Sequence, residues 1–145
     1  MKRREIIAAG AGILSSGILS SSAAQGAKTN GAAGSVDSNP LIEIATSCVK
    51  TGEICRQHCV DLLSSGDKSL AECLKTVNEM LTMCKALLEL SAQKSSHLAK
   101  FAAICEDVCK TCEKACRVHE AHHPPCKNCA EACVRCASEC AKIAA

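Results

Sequence analysis

The chain has 145 residues, of which 14 are cysteine, while Trp and Tyr are absent and Phe occurs once. A cysteine content this high is typical of either a disulfide scaffold or a metal–thiolate protein. The 17 basic and 15 acidic residues nearly balance, which argues against nucleic acid or an anionic membrane surface as a partner.

The first 24 residues have the features of an export signal. A basic segment, Lys2 to Arg4, precedes an apolar stretch from Ile6 to Leu19 that is too short to span a bilayer, and small residues lie around Ala24. The adjacent arginines resemble a twin-arginine signal, and an ordinary secretory signal is the alternative. We therefore predict an exported, periplasmic protein with no membrane attachment in its mature form. Its predicted parts are a signal peptide at 1–24, a flexible Gly/Ala/Ser-rich leader at 25–38 and one folded domain at 39–145.

Local capping and breaking signals predict four helices in this domain. Asn39-Pro40 suits a helix start, Ser65-Gly66 a helix end, Ser69 to Glu72 a capping box, and Pro124-Pro125 a break. The predicted helices run over about Pro40–Ser64, Ser69–Ser91, His97–Glu120 and Pro125–Ala144. No segment alternates with a period of two, so no strand is expected. The short connections predict an all-α, antiparallel up-down-up-down four-helix bundle with a cysteine-lined core.

The cysteines follow helical spacing in each predicted helix. They recur at steps of three and four in the last two helices, at seven and four in the first, and once at eleven in the second. At about 100° per residue, each set lies on one face of its helix, where a bundle has its buried seam. We therefore predict that every cysteine is a metal ligand facing the bundle axis: Cys48, Cys55, Cys59, Cys73, Cys84, Cys105, Cys109, Cys112, Cys116, Cys126, Cys129, Cys133, Cys136 and Cys140.

Three other interpretations of the cysteines fit the sequence less well or remain open as alternatives. Cysteine as a plain small core residue does not explain four consistent stripes. A disulfide-stapled domain suits export and an even count, but neighbours on one helix poorly suit the disulfide dihedral of about 90°, which leaves only cross-helix bridges. A thiol–disulfide redox protein needs a CxxC pair at a helix N-terminus, where only Cys126 and Cys129 lie. No nucleophile–base pair, phosphate loop or carboxylate dyad appears, so we do not expect an enzyme.

Among metals, the stripes favour Cu(I). Zinc prefers closed sets of four ligands, and iron–sulfur clusters prefer cysteines on wrapping loops. Cu(I) is soft and accepts two or three sulfur ligands, which neighbouring cysteines on a helix supply. Each Cu⁺ offsets one thiolate, so charge balance in a buried core predicts approximately one Cu(I) per cysteine.

The antiparallel order predicts two different ends. One gathers an apolar plug from Leu41, Ile44, Leu87, Leu88, Leu98, Phe101 and Ile143. At the other end copper is predicted to enter through candidate ligands His58, His119, His122 and His123, since imidazole binds copper; solvated loop histidines are the alternative. Met80, on the seam of the second helix, is a further candidate ligand, with ordinary core packing as its alternative.

Several local segments resemble the bacterial copper storage proteins. They are Ser47-Cys48-Val49, Cys55-Arg56-Gln57-His58-Cys59, Asp107-Val108-Cys109 and the dense run from Cys126 through Cys140. The resemblance spans about Ser47 to Ala144, and Arg3-Arg4 is similar to the signal of the exported branch. It implies a bundle that binds multiple Cu(I) ions, supplies them to a copper chaperone or copper enzyme, and self-associates, often as tetramers. The chain departs from the family pattern at Leu62 and Leu63, where methionines are expected, and the nearby histidines are the expected substitute.

Overall fold

The computed structural model describes residues 39–145, which form four α-helices and one short 3-10 turn. The elements are α1 (Pro40–Ser64), a 3-10 turn (Lys68–Leu70), α2 (Ala71–Ala92), α3 (Leu98–Arg117) and α4 (Pro124–Ala144). This part of the chain contains no strand, and none of its helices is both long enough and apolar enough to cross a membrane. The predicted signal peptide and leader lie outside the described residues.

The helices form a square bundle in which each packs against two neighbours. α1 lies between α2 and α4, and α3 lies opposite α1 between the same two helices. Asn39 Nδ2 donates to Ser91 Oγ at 3.0 Å, joining the start of α1 to the end of α2. His58 Nε2 lies 2.9 Å from His123 Nδ1, joining the last turns of α1 to the start of α4. The predicted up-down-up-down four-helix bundle is confirmed.

The ends of α1 follow the predicted local signals. The Asn39 side chain accepts a hydrogen bond from the Leu41 N–H at 3.0 Å. At the other end Gly66 takes φ 98°, a left-handed conformation that glycine adopts without steric cost. These two residues therefore set the length of α1.

Two predicted boundaries are wrong. The Ser69–Glu72 capping box does not open α2; instead the Asp67 carboxylate accepts from the Ser69 N–H at 2.9 Å and caps the 3-10 turn, so that α2 begins at Ala71. An aspartate two residues before an N–H readily forms this local bond and competes with the capping box. α3 ends at Arg117 rather than Glu120, because the chain turns before it reaches Pro124.

Thiols line the interior from end to end. All 14 cysteines are buried with no measurable exposure, and none forms a disulfide. The other fully buried large side chains are aliphatic or thioether: Leu41, Leu70, Val77, Met80 and Leu87. The predicted cysteine-lined core is therefore confirmed, and it is built without a buried aromatic ring in the described residues.

Gly52 occupies the core position inside the seven-residue step between Cys48 and Cys55. It is buried, and a Cβ added there would lie 2.6 Å from Met80 Cε and 2.9 Å from Leu81 Cδ2. Glycine weakens a helix interior by about 1 kcal/mol relative to alanine. The close approach of α2 explains why glycine nevertheless stands in the middle of α1.

Replacing Gly52 by alanine is expected to lower the free energy of unfolding by about 1–3 kcal/mol, because the added methyl must displace Met80 and Leu81 in a filled core. Chemical denaturation of the reduced, metal-free protein, followed by helical circular dichroism, measures this change. Thr51→Ala is the matched control at the preceding, half-buried position, with an expected change within about 0.5 kcal/mol. Unchanged stability of Gly52→Ala would show that α1 and α2 separate there without cost.

Candidate metal centre

The cysteine sulfurs assemble into five groups across the bundle. Within each group all Sγ atoms lie within 4.8 Å of one another, and every one of the 14 cysteines belongs to at least one group. From the histidine-bearing end the groups are Cys55/Cys59/Cys73/Cys126, Cys55/Cys116/Cys129, Cys112/Cys129/Cys133, Cys48/Cys84/Cys109/Cys136 and Cys105/Cys136/Cys140.

These groups are not isolated sites. Cys55 belongs to the first two groups, Cys129 to the second and third, and Cys136 to the last two. Cys48 Sγ lies 4.0 Å from Cys133 Sγ, which joins the third group to the fourth. The thiols therefore form one connected network along the bundle axis.

The spacing between sulfurs matches metal coordination. Cross-helix Sγ–Sγ separations run from 3.5 Å between Cys73 and Cys116 to 4.0 Å between Cys73 and Cys126. A trigonal or tetrahedral ion with metal–sulfur bonds of about 2.3 Å requires sulfurs about 3.8–4.0 Å apart. A disulfide requires about 2.05 Å. With small side-chain shifts, the network can accept soft metal ions between its sulfurs.

The four helices contribute unequally to the network. α3 and α4 carry nine of the 14 cysteines at unbroken helical spacing. On α1 and α2 the long steps of the sequence pattern are filled by Gly52, Val77 and Met80, all of them buried. Gly52 was not predicted as a core residue, although its position four residues after Cys48 and three before Cys55 places it on the same stripe.

Contacts with neighbouring thiols shift the pKa values of the buried cysteines in both directions. Hydrogen bonds to neighbouring thiols, reinforced by burial, raise the pKa of Cys55, Cys84 and Cys133 well above the usual range. In contrast, the hydrogen bond with Cys112, 4.0 Å away, is the main cause that lowers the pKa of Cys116 to about 6. Metal binding must therefore displace protons from the thiols whose pKa is raised.

Three of the four predicted histidines meet at one end of the bundle. The rings of His58 and His123 lie 5.1 Å apart and those of His119 and His123 lie 6.1 Å apart. All three are partly buried, whereas His122 is exposed. They adjoin the first thiol group, since His58 precedes Cys59. Within residues 39–145, however, the close ligand groups contain thiols alone.

Met80 does not lie with these histidines. Its side chain is fully buried, and its Sδ lies 3.4 Å from Cys48 Sγ. Cys48 precedes His58 by ten residues on α1, which corresponds to about 15 Å along a helix. Met80 is therefore part of the interior network.

The opposite end of the bundle is closed by apolar side chains. Leu41 and Leu87 are fully buried there. The remaining predicted plug residues pack against the core while partly buried: Ile44, Leu88, Leu98, Phe101 and Ile143.

Comparison with known proteins points to one family. The copper storage protein (Csp) family model matches residues 36–145. The cysteine-rich protein YhjQ of Bacillus subtilis (strain 168) is 29% identical over 108 residues, covering 74% of this chain and 96% of that protein.

Two solved structures share the fold. Apo copper storage protein 3 from Bacillus subtilis matches with a TM-score of 0.64 and 28% identity, covering 72% of this chain and 96% of that chain. The Cu(I)-bound copper storage protein BsCsp3 matches with a TM-score of 0.66 and 27% identity, covering 73% and 96% of the two chains. Because the family model covers all of the described bundle, whose core is one network of buried thiols, the chain belongs to the copper storage protein family.

Proposed function

We propose that this protein stores Cu(I) ions inside its own bundle, at about one ion per cysteine, and that all 14 cysteines are ligands. The connected network of buried thiols is the observation that carries the proposal. Membership of the copper storage family and similarity to a structure with Cu(I) bound support the choice of metal. The role is storage and sequestration, without catalysis.

Charge balance supports the proposed capacity. The only buried polar or charged side chains in residues 39–145, apart from the thiols, are Thr76 and Ser91. This part of the core thus contains no cationic side chain to offset thiolates, and uncompensated buried charges are very costly. Each Cu⁺ that replaces a thiol proton leaves the core neutral, so the number of ions follows the number of cysteines.

The burial of Cys126 and Cys129 favours storage over redox turnover. A redox CxxC pair needs a partly accessible thiolate, and both of these thiols are fully buried. Each also belongs to a group with cysteines of other helices, which is an arrangement suited to a shared ligand.

The proposal is tested by anaerobic titration of the reduced protein with Cu(I) against a competing chelator. Saturation near the cysteine count supports storage, whereas one to three tightly bound ions per chain contradict it. Counting thiols on the denatured, unreduced protein addresses the disulfide alternative. A count close to 14 free thiols agrees with Cu(I) storage, and a count close to zero would indicate disulfide bonds.

We propose further that copper enters at the histidine end. Replacing His58, His119 and His123 together by asparagine is expected to slow loading about ten-fold, the size of effect typical for groups that assist a metal site. Final capacity should hardly change, because the thiols hold the store. Stopped-flow loading from a Cu(I)–chelator complex measures the rate.

His97 provides the matched control, because it is exposed and precedes α3 at the apolar end. His97→Asn should load at the unaltered rate, and so should His122→Asn, whose ring is exposed. A large fall in capacity in the triple variant would make the histidines ligands of the store. Unaltered kinetics would place the site at which copper enters elsewhere.

Export is proposed from the sequence, with residues 1–24 as signal peptide and 25–38 as leader before the storage domain. Arg3-Arg4 supports the twin-arginine route to the periplasm, where a copper chaperone or copper enzyme would receive the ions. The family resemblance supports self-association, for example as a tetramer. Cell fractionation of an Arg3→Lys/Arg4→Lys variant tests the route, and the mass of the native protein in solution tests the assembly.

A further inference from the structure

On the side of the bundle formed by α1 and α2, one level of the core contains no cysteine. α3 and α4 present cysteines without interruption. Between Cys55 and Cys48 on α1, and between Cys73 and Cys84 on α2, the helices present other residues to the core. We call this level, formed by Gly52, Val77 and Met80, the waist. It separates the thiols of α1 and α2 into two halves.

Met80 introduces the one non-cysteine sulfur of the described core at the waist. Its side chain is fully buried, and its Sδ lies 3.4 Å from Cys48 Sγ. Cys48 Sγ in turn lies 4.0 Å from Cys133 Sγ, so the thioether is continuous with the network. At this point the sulfur of Met80 on α2 lies next to that of Cys48 on α1, which lies next to that of Cys133 on α4.

The position of this thioether depends on Gly52. The Met80 methyl carbon lies only 2.6 Å from the point at which a Cβ of residue 52 would stand, which is too close for both atoms to be present. The absence of a side chain on α1 thereby admits the end of the Met80 side chain and leaves its sulfur against Cys48.

A thioether differs from a thiolate in charge but not in softness. Methionine sulfur is a ligand that suits Cu(I), and it binds without releasing a proton. A third sulfur of this kind can complete the coordination of an ion held by two thiolates without adding negative charge to the core.

We propose that Met80 is a Cu(I) ligand, which with the thiolates of Cys48 and Cys133 holds an ion at the waist and joins the two halves of the store. The inference rests on the proposed storage of Cu(I). It assigns Met80 to the interior of the store rather than to the end at which copper enters.

X-ray absorption spectroscopy at the selenium edge of selenomethionine-labelled, copper-saturated protein tests the assignment directly. The full chain has three methionines, Met1, Met80 and Met83. We expect one of these three selenium atoms to have a copper neighbour at bonding distance in the unaltered chain. The signal should be lost completely in Met80→Leu, a volume-conserving replacement that the core tolerates.

Met83→Leu is the matched control, because Met83 lies one turn further along α2 and is only partly buried. In that variant the copper neighbour should persist, at one of two selenium atoms. No copper neighbour in the unaltered protein, or a neighbour that survives Met80→Leu, would overturn the assignment of Met80. A wild-type chain that binds only a few ions would instead overturn the storage function itself, so the two failures are distinguishable.

Discussion

Copper-loaded protein is expected to resist unfolding far better than the metal-free protein. A ligand present at about 1,000 times its dissociation constant adds about 4.1 kcal/mol of stability for one site, and the bundle contains several linked groups of thiols. The unfolded chain also offers thiols, but it does not hold three or four of them together as the folded groups do. The metal-free core is modest by comparison, since its volume comes from small thiols and aliphatic side chains.

The measurement is anaerobic unfolding in guanidinium, with and without bound Cu(I), followed by helical circular dichroism. A variant in which the five α4 cysteines are replaced by alanine is the informative comparison, because it loses Cys129 and Cys136, each shared by two groups. Its gain on adding copper should be much smaller than that of the unaltered chain. Equal midpoints for the loaded and metal-free wild-type protein would mean that copper binds outside the core or equally well to the unfolded chain.

The metal-free protein is expected to lose stability steeply above about pH 9. The pKa values of Cys55, Cys84 and Cys133 are raised from the usual value of 9.0. Below pH 9 both the folded and the unfolded chain keep these protons, and the stability is fully present. Above it the unfolded chain loses protons that the folded chain retains, so each such thiol lowers the free energy of unfolding by about 1.4 kcal/mol per pH unit.

These three thiols alone predict a slope of about 4 kcal/mol per pH unit once the unfolded chain is ionised. Five further thiols have pKa values raised in the same direction and make the loss steeper: Cys48, Cys73, Cys105, Cys126 and Cys140. Cys116, whose pKa is lowered to about 6, is already ionised in the folded chain and becomes ionised in the unfolded chain as the pH rises through 9, so it does not contribute to this loss. Denaturation of reduced protein between pH 8 and about pH 10.5 measures the slope. Cys133→Ala should reduce it by about 1.4 kcal/mol per pH unit.

Bound copper should abolish this loss of stability at alkaline pH, because the thiolates of the loaded protein are already deprotonated. The loaded protein should instead weaken as the pH falls, since protons then compete with copper for sulfur. A metal-free protein whose stability is flat from pH 8 to pH 10.5 would show that the buried thiols ionise as readily in the folded chain as in the unfolded one.

The unbroken thiol faces of α3 and α4 illustrate how far local sequence information reaches. Steps of three and four residues put Cys105 to Cys116 and Cys126 to Cys140 on one side of each helix whatever the rest of the chain does, because the helical repeat is a property of neighbouring residues. The Asn39 cap before α1 and the glycine after its end, Gly66, are local in the same sense. These features were predicted correctly.

The Asp67 cap shows where local information was insufficient even within a few residues. Ser69 and Glu72 fit a capping box, but the Asp67 carboxylate takes the Ser69 N–H at 2.9 Å and a 3-10 turn forms instead. Two local hydrogen-bonding patterns compete here, and buried Leu70 favours the one that docks this turn against the bundle.

The sequence by itself determined four helices, their order and a cysteine face on each, because these follow from helical periodicity and local capping. Only the tertiary structure decided which thiols share a group, that His123 meets His58 while His122 remains exposed, and that Met80 lies against Cys48 beside Gly52. Those contacts depend on how far each helix is shifted along and rotated about its axis. The packing of all four helices together sets both quantities, and no short stretch of sequence contains that information.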